Sequence, residues 1–375
     1  MNLALYIHIP YCKQKCPYCD FNSFDDGINK DFVPAIKEEI AIKSKNIGQY
    51  QIGSIFFGGG TPTSLPSGQI TDILNSCFQR FSIASDCEIS IEANPGTIDY
   101  QYLKILKENG FNRLSLGCQS FHDDLLKKIG RIHSSDEIYH SVSAAREAGF
   151  KNISLDLMFG LPGQTLEMWE ETLQNATKLK PTHLSVYNLT IEKETAFHDQ
   201  LKQGKLILPS EKLQVKMYEK AIEYLSQAGY IHYEISNFAV KGFECRHNKV
   251  YWNNNEYLGF GPGAASNLKG TRSKNILSPG KYIETILEKK EIPLFDKETL
   301  DQKKSMGETL MLGLRMINGI NLSDFEKRFG KTLDSEFDEK IRKLHDEHLL
   351  QYANDRLKLT HKGILYSNEV FVELV

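Results

Sequence analysis

Six short runs rich in β-forming residues, at positions 4–9, 54–57, 88–92, 113–117, 154–158 and 183–187, recur with amphipathic stretches between them. Residues 31–45 place Phe32, Ile36 and Ile40 at helical spacing, and residues 134–148 form a similar stretch ending before Gly149. A strand that returns parallel to its predecessor needs a crossover long enough for a helix, and such crossovers are right-handed. The rhythm therefore predicts an α/β fold, either a doubly wound sheet or a partial (β/α)6, TIM-like barrel of parallel strands. The alternation stops near residue 205. A helix is expected over 211–227, followed by irregular, aromatic- and glycine-rich sequence from 230 to 280. The last stretch reads as three helices with a hairpin at 350–359 before the final one, the pattern of a small, mainly helical, winged-helix-like module. The expected division is a barrel domain over 1–235, a linker region over 236–295 and a C-terminal domain over 296–375.

In a barrel of parallel strands, functional groups gather at the C-terminal strand ends. Cys12, Cys16 and Cys19 follow the first run in "YIHIPYCKQKCPYCDF", and Gly58, Gly59, Gly60 and Thr61 follow the second in "FFGGGTPT". Glu92 closes the third in "IEANPGT", Gln119 follows the fourth in "NRLSLGCQSF", and Asp156 lies in the fifth in "LDLMFGLPGQT". These segments are expected to converge on one rim. Three thiolates on a [4Fe–4S] cluster leave one iron without a protein ligand, and an open iron can chelate the amino and carboxylate groups of S-adenosylmethionine. The alternative is a structural zinc knuckle made of the three cysteines with His8 or Asp20. The glycine run would let the backbone approach a ligand closely, although a glycine run alone more often marks a turn. Glu92 suits a ribose hydroxyl or an ammonium group, or else is a solvated strand-end carboxylate. Gln119, Arg131 and Asp156 form a further polar set, each of which alone is also explicable as structural.

Composition narrows the classes. Seven cysteines, three of them clustered, point to reduced metal-binding thiols rather than a secreted disulfide framework, with Cys77, Cys87 and Cys118 read as small buried hydrophobes. The net charge of −3 without a long block of one sign gives no reason to expect nucleic acid as a partner. Acidic and basic residues nearly balance from Lys297 onward, so the C-terminal module is not a phosphate-binding surface either. No apolar run approaches the roughly 20 residues that span a bilayer, and the N-terminal sequence lacks a basic signal-peptide region. The expectation is a cytoplasmic protein without a transmembrane segment, for which peripheral membrane contact stays open.

Together with "IGRIH", "YNLTIEKETAF", "YEISNFA", "CRHNKVYW", "YLGFGPGAAS" and "LMLGLRMINGI", the quoted segments span nearly the whole chain. The set resembles the branch of the radical S-adenosylmethionine superfamily that contains oxygen-independent coproporphyrinogen III oxidase and the HemW-type haem chaperones. The C-x3-C-x2-C spacing with an aromatic before the last cysteine is that superfamily's signature. The resemblance implies a partial (β/α)6 barrel followed by a HemN-type C-terminal domain, with one [4Fe–4S] cluster on Cys12, Cys16 and Cys19. It implies S-adenosylmethionine on the cluster near Tyr6, Tyr18, Phe21, Gly59 and Glu92. A second such molecule would fall at Gly60, Thr61, Gln119, Arg131, Asp156 and Thr190. The oxidase pattern continues to a fourth cysteine where this chain has Phe21, and the oxidases carry a substantial segment before the cluster loop, of which little is present here. "HNKVYW", residues 247–252, resembles the H-N-x-x-Y-W motif of the chaperones. The implied function is a haem chaperone that passes haem to an acceptor protein, with His247 and Tyr251 as haem contacts in a cleft between barrel and C-terminal module, and Cys245 as a rival soft ligand. The alternative is the oxidase or another radical enzyme of porphyrin metabolism. A plainer account of the motif is a surface loop in which His247 bonds to backbone while Tyr251 and Trp252 anchor the linker.

Overall fold

A computed structural model describes residues 2–45 and 47–374. Each expected run is the core of a strand: β1 (Asn2–Ile9), β2 (Gln51–Gly59), β3 (Ser82–Ala93), β4 (Arg113–Gln119), β5 (Asn152–Phe159) and β6 (His183–Asn188). Consecutive strands pair in parallel from β1 to β6. Leu3, Leu5, Ile7 and Ile9 alternate along β1 and pack into the main core with Phe32, Ile36 and Ile40 of the first helix, Phe32–Ser44. The crossover helices start where the sequence supplies caps. Ser134 and Glu137 form a reciprocal capping box at Ser135–Glu147, and Thr165 and Ser210 cap Leu166–Lys178 and Glu211–Gln227.

The barrel does not close. Beyond β6 the sheet continues antiparallel through β8 (Asn237–Ala239) and β7 (Ile231–Glu234). Beyond β1 it continues through β9 (Tyr257–Phe260), β10 (Ala265–Leu268), β11 (Thr271–Asn275) and β12 (Leu294–Thr299), of which β9 is parallel to β1. The result is one open sheet of twelve strands. The stretch from 230 to 280, expected to be irregular, thus supplies sheet at both edges. Its strands are short, and glycines sit where they approach other backbone: a Cβ at Gly259 would collide with the carbonyl of Ala265. Neither feature has the periodicity from which a strand is read.

One buried carboxylate ties this added sheet to the first helix. Glu39 accepts hydrogen bonds from the Gly261 amide at 2.8 Å, Asn275 Nδ2 at 2.7 Å and Tyr282 Oη at 2.6 Å. It also pairs with Lys43 at 2.6 Å, and Lys43 Nζ reaches the Gly259 carbonyl at 2.7 Å.

The C-terminal module has its own core, built around Met306, Leu310, Phe325, Phe337 and Phe371. Helices Gln302–Gly313, Leu322–Phe329 and Asp334–Asp346 precede the hairpin of β14 (Leu350–Tyr352) and β15 (Arg356–Leu359), and β13 (Ile320–Asn321) completes the small sheet. The hairpin falls where expected. Its turn carries Asn354 and Asp355 at φ 52° and 58°, the left-handed pair of a type I′ turn. The final helix is divided into His361–Leu365 and Ser367–Leu374. Arg328 fastens the module to the rest of the chain by donating to the carbonyls of Asn253 and Asn254 at 3.0 and 2.6 Å. Among the described residues no helix is long and apolar enough to cross a membrane.

Because Glu39→Ala leaves Lys43 and three buried donors without their acceptor, it should cost about 3–5 kcal/mol, whereas removal of an exposed ion pair such as Lys37–Asp72 should cost under about 1 kcal/mol. Denaturant midpoints of the two variants measure the contrast.

Candidate functional site

The cysteine loop leaves β1 and is seated on the end of β2. Ile9 lies opposite Gly59, the Gly60 amide donates to the Ile9 carbonyl at 2.8 Å, and the Thr61 amide donates to the Tyr11 carbonyl at 2.8 Å. A Cβ on Gly59, at φ +117°, would come within 2.7 Å of the His8 ring, and one on Gly60 within 2.8 Å of the Tyr11 carbonyl and 3.0 Å of Cys12 Sγ. The glycines first admit their own protein neighbours. All three cysteines of the loop are free and half-buried. Thr61 Oγ1 donates toward Cys12 Sγ at 3.5 Å, Arg131 Nη1 toward Cys16 Sγ at 3.7 Å, and Cys19 Sγ lies 3.9 Å from Ser23 Oγ. Burial is the largest cause that raises the Cys12 and Cys19 thiols above their ordinary range, and hydrogen bonds partly counter it.

The donor set can be tested against both metal readings. His8 is committed, with Nε2 donating to the Asn22 carbonyl at 2.9 Å and Nδ1 facing Tyr6 Oη at 3.1 Å. Among the described residues no three His, Cys, Asp or Glu side chains are placed to hold a single ion. A four-iron cube spreads its ligands over a wider face, and the three sulfurs line one cavity of about 530 Å³. That cavity also takes Tyr6, Tyr18, Phe21, Gly59, Gly60, Thr61, Glu92, Gln119, Arg131 and Asp156 into its wall, and His247 and Tyr251 as well. Thr190 is the exception: it is exposed past the end of β6 and does not line the cavity.

The polar wall is organised around buried charge. Arg131 Nη2 donates to the Gly117 carbonyl at 2.6 Å and to Asn94 Oδ1, while Asn94 Nδ2 donates to Thr61 Oγ1 at 2.9 Å. Asp156 accepts from Ser115 Oγ at 3.1 Å and from Ser154 Oγ at 3.4 Å. The Gly59 amide donates to Glu92, yet burial, and then the neighbouring Asp156, push the Glu92 carboxyl up to about 8. Burial also raises Asp156. Arg113 is only 2% exposed, and the charges of Glu88 and Asp156 act on it. Asn94, Arg113, Phe56, Ser115, Ser185 and Tyr187 also line this space and were not singled out from sequence. The available signals were Asn94 inside the quoted "IEANPGT", and hydroxyl residues at alternate positions of otherwise apolar strands.

The H-N-x-x-Y-W segment is a short helix, Arg246–Trp252, rather than a surface loop, and part of it walls the cysteine cavity. Glu88 receives the amides of Arg246 and His247 at 3.1 and 3.2 Å, and so holds the helix start against β3. His247 is 1% exposed and stacks on Phe56 at 5.0 Å. Its Nδ1 bonds to Ser54 Oγ at 3.0 Å and its Nε2 to Tyr251 Oη at 2.9 Å, so both ring nitrogens are engaged by side chains. Burial, and secondarily Arg113, lower its pKa to about 3, and burial holds Tyr251 as the neutral phenol. Cys245 is fully buried, its thiol 3.6 Å from Glu88 Oε1, and burial pushes it up to about 12. Cys77, Cys87 and Cys118 are core residues, as expected.

Gln119 sits at φ 65° where the β4–β5 register breaks. Left-handed backbone strains a non-glycine residue, so Gln119→Gly should leave stability unchanged or raise it by about 1 kcal/mol in thermal unfolding. A clear loss of stability would mean that the Gln119 side chain holds the bend.

A profile of the radical SAM superfamily matches residues 6–176, and one of the HemN C-terminal domain matches residues 300–366. The heme chaperone HemW of Bacillus subtilis is 41% identical over 98% of this chain and 98% of its own length. That of Lactococcus lactis is 36% identical over 98% and 96%. The structure of Escherichia coli coproporphyrinogen III oxidase (HemN), described as a radical SAM enzyme, superposes with a TM-score of 0.85 at 25% identity, covering 99% of this chain and 89% of that one. With likeness of this extent along its whole length, the chain belongs to the HemW family of the radical S-adenosylmethionine superfamily.

Proposed function

We propose that the protein is a haem chaperone that holds a [4Fe–4S] cluster and S-adenosylmethionine, binds haem and hands it to an acceptor protein. The observation that carries this reading is the H-N-x-x-Y-W helix built into the wall of the cysteine cavity, in a family whose curated members are named as heme chaperones. Cys12, Cys16 and Cys19 would hold three irons and leave the fourth for the amino and carboxylate groups of S-adenosylmethionine. When bound, the cluster supplies one-electron reduction of that ligand's sulfonium. Tyr6, Tyr18, Phe21, Gly59 and Glu92 surround the first molecule, and Gly60, Thr61, Gln119, Arg131 and Asp156 offer contacts for a second. Thr190 is given no contact, because it lies off the cavity.

S-adenosylmethionine carries a sulfonium and an ammonium. Glu92 and Asp156 are two carboxyls for which burial penalises ionisation, and a cation beside them reverses that penalty. His247 acts on haem through Tyr251, whose hydroxyl it fixes and which lines both the cysteine cavity and the space beside it. All seven cysteines are free thiols, which supports residence in a reducing compartment, the cytoplasm. The near balance of acidic and basic residues in the C-terminal module favours a protein contact, the acceptor, over nucleic acid. The likeness to the E. coli oxidase favours radical oxidation of coproporphyrinogen III as the second reading.

The decisive experiment separates cluster from haem. Replacing Cys12, Cys16 and Cys19 with Ala should abolish the broad near-400 nm absorption of the reconstituted cluster yet leave about one haem bound per chain, and Cys77→Ala should lose neither. His247→Ala should weaken haem binding without moving the Soret maximum, and a moved maximum would make His247 the iron ligand. Conversion of coproporphyrinogen III at enzymatic rates, with reductant and S-adenosylmethionine under anaerobic conditions, would replace the chaperone reading with the oxidase.

The second test is pH. The Glu92 carboxyl is raised to about 8, so it is neutral below that pH and attracts a cation only above it. Affinity of the reconstituted protein for S-adenosylmethionine should climb as pH rises from about 7 to 9 and then level off, and Glu92→Gln should flatten the rise. An identical pH profile in the variant would return Glu92 to a purely structural role.

A further inference from the structure

Behind the Tyr6–Tyr251 wall lies a second groove of about 560 Å³, and Tyr6, Phe21 and Tyr251 line both spaces. Three walls give it a definite chemistry. Trp252 and Tyr251 come from the Arg246–Trp252 helix, Tyr257 from β9, and Asn267, Arg272 and Lys274 from the β10–β11 hairpin. Register explains why these side chains share one face. Asn267 pairs with both Arg272 and Tyr257, Ala265 pairs with Lys274, and Tyr257 pairs with Ala4 of β1, so alternate residues from β1 to β11 point the same way.

We infer that this groove is the haem site, with the tetrapyrrole plane against the aromatic walls and its two carboxylates on Arg272 and Lys274. The inference rests on the haem reading above and adds a location and a mode of recognition to it. Haem is flat and apolar except for its propionates, and the groove offers the matching division. Tyr251 and Tyr257 form an edge-on pair with centroids 4.6 Å apart, and Phe21 stands 66% exposed at the rim. The cations come from the β10–β11 wall of the groove. Among the described residues Lys274 is in no ion pair, and Arg272, a five-donor fork, pairs with Glu308 through Nη1 at 2.6 Å.

Asp20 also lines the groove, and with the acids across from the cations it sets the competing negative charge. Glu298, across from Arg272, is paired with Lys304 at 2.8 Å, and Asp296, across from Lys274, accepts the Lys297 amide at 2.8 Å. His8, the one histidine lining the groove, has both nitrogens engaged, so the groove recognises the porphyrin and its carboxylates ahead of the iron. A ligand held by its face and edge, without a strong axial bond, is released readily to an acceptor that supplies one.

The test is equilibrium binding of haemin, metal-free protoporphyrin IX and haemin dimethyl ester to the full chain with its cluster reconstituted. Haemin and protoporphyrin IX should bind within about threefold of each other, and the diester about tenfold more weakly, as expected for a lost charge-assisted contact. Lys274→Glu, an exposed and unpaired position that does not threaten folding, should weaken haemin about tenfold and leave the diester unchanged. Tyr257→Ala should weaken all three. Wild-type haemin affinity in both variants overturns the groove while leaving the chaperone reading intact, as would a diester that binds as well as haemin. A wild-type chain that binds no haemin overturns the function and the groove together.

Discussion

The cysteine loop can sit where it does only because β2 ends in residues without side chains. Gly59 and Gly60 bring the β2 end against His8, Tyr11 and Cys12 at distances that any Cβ would violate, and the Gly60 and Thr61 amides then bond to the carbonyls of Ile9 and Tyr11. The other side of the loop is closed by backbone hydrogen bonds, the Phe24 amide donating to the Pro10 carbonyl and the Cys12 amide to the Phe24 carbonyl. From this junction the order spreads outward. Thr61 touches Cys12, Asn94 touches Thr61, and Arg131 spans from Asn94 to Cys16, so three strand ends are linked through two of the loop's cysteines.

Below that polar rim lies a layer of buried ionisable groups that an apolar barrel would not need. Arg113 is enclosed with Glu88 and Asp156 around it, and Glu88 in turn holds the amides that start the Arg246–Trp252 helix. Burying such groups costs stability unless each finds partners, and removing one member strands the rest. The arrangement converts that cost into position. The helix that carries His247 and Tyr251 is joined to β3 through the same carboxylate that accompanies Arg113, which fixes the motif relative to Asp156 and the cavity floor.

The strands that follow the six-strand core extend its face instead of closing it. The sheet's extension beyond β1 leaves room for a groove beside the cysteine cavity, and Glu39 of the first helix keeps that extension in place from behind. The two spaces share a wall of Tyr6 and Tyr251, so a ligand in one meets the opposite side of residues that face the other. The C-terminal module is fastened next to this wall through Arg328 and through Asn254, whose amide donates to Thr309.

Much of this was legible in the residue order. The six parallel strands, the helix caps, the type I′ hairpin and the cysteine, glycine and carboxylate segments at strand ends are written in short-range spacing, because pleat, helix period and turn conformation each depend on a few neighbouring residues. Convergence of those strand ends followed from the parallel crossover rule alone. What spacing could not disclose are the partners of buried polar groups. Ser54 and His247 meet across 193 positions of chain, and Glu88 and His247 across 159. The same applies to the added strands, whose pairing depends on where glycine lets two backbones approach, and to Thr190, which follows β6 in sequence but does not line the cavity. Local periodicity sets each element, while desolvation and hydrogen-bond satisfaction act only after distant elements have packed. The charge states and contacts of Glu92, Arg113 and His247 were therefore decided by the folded interior.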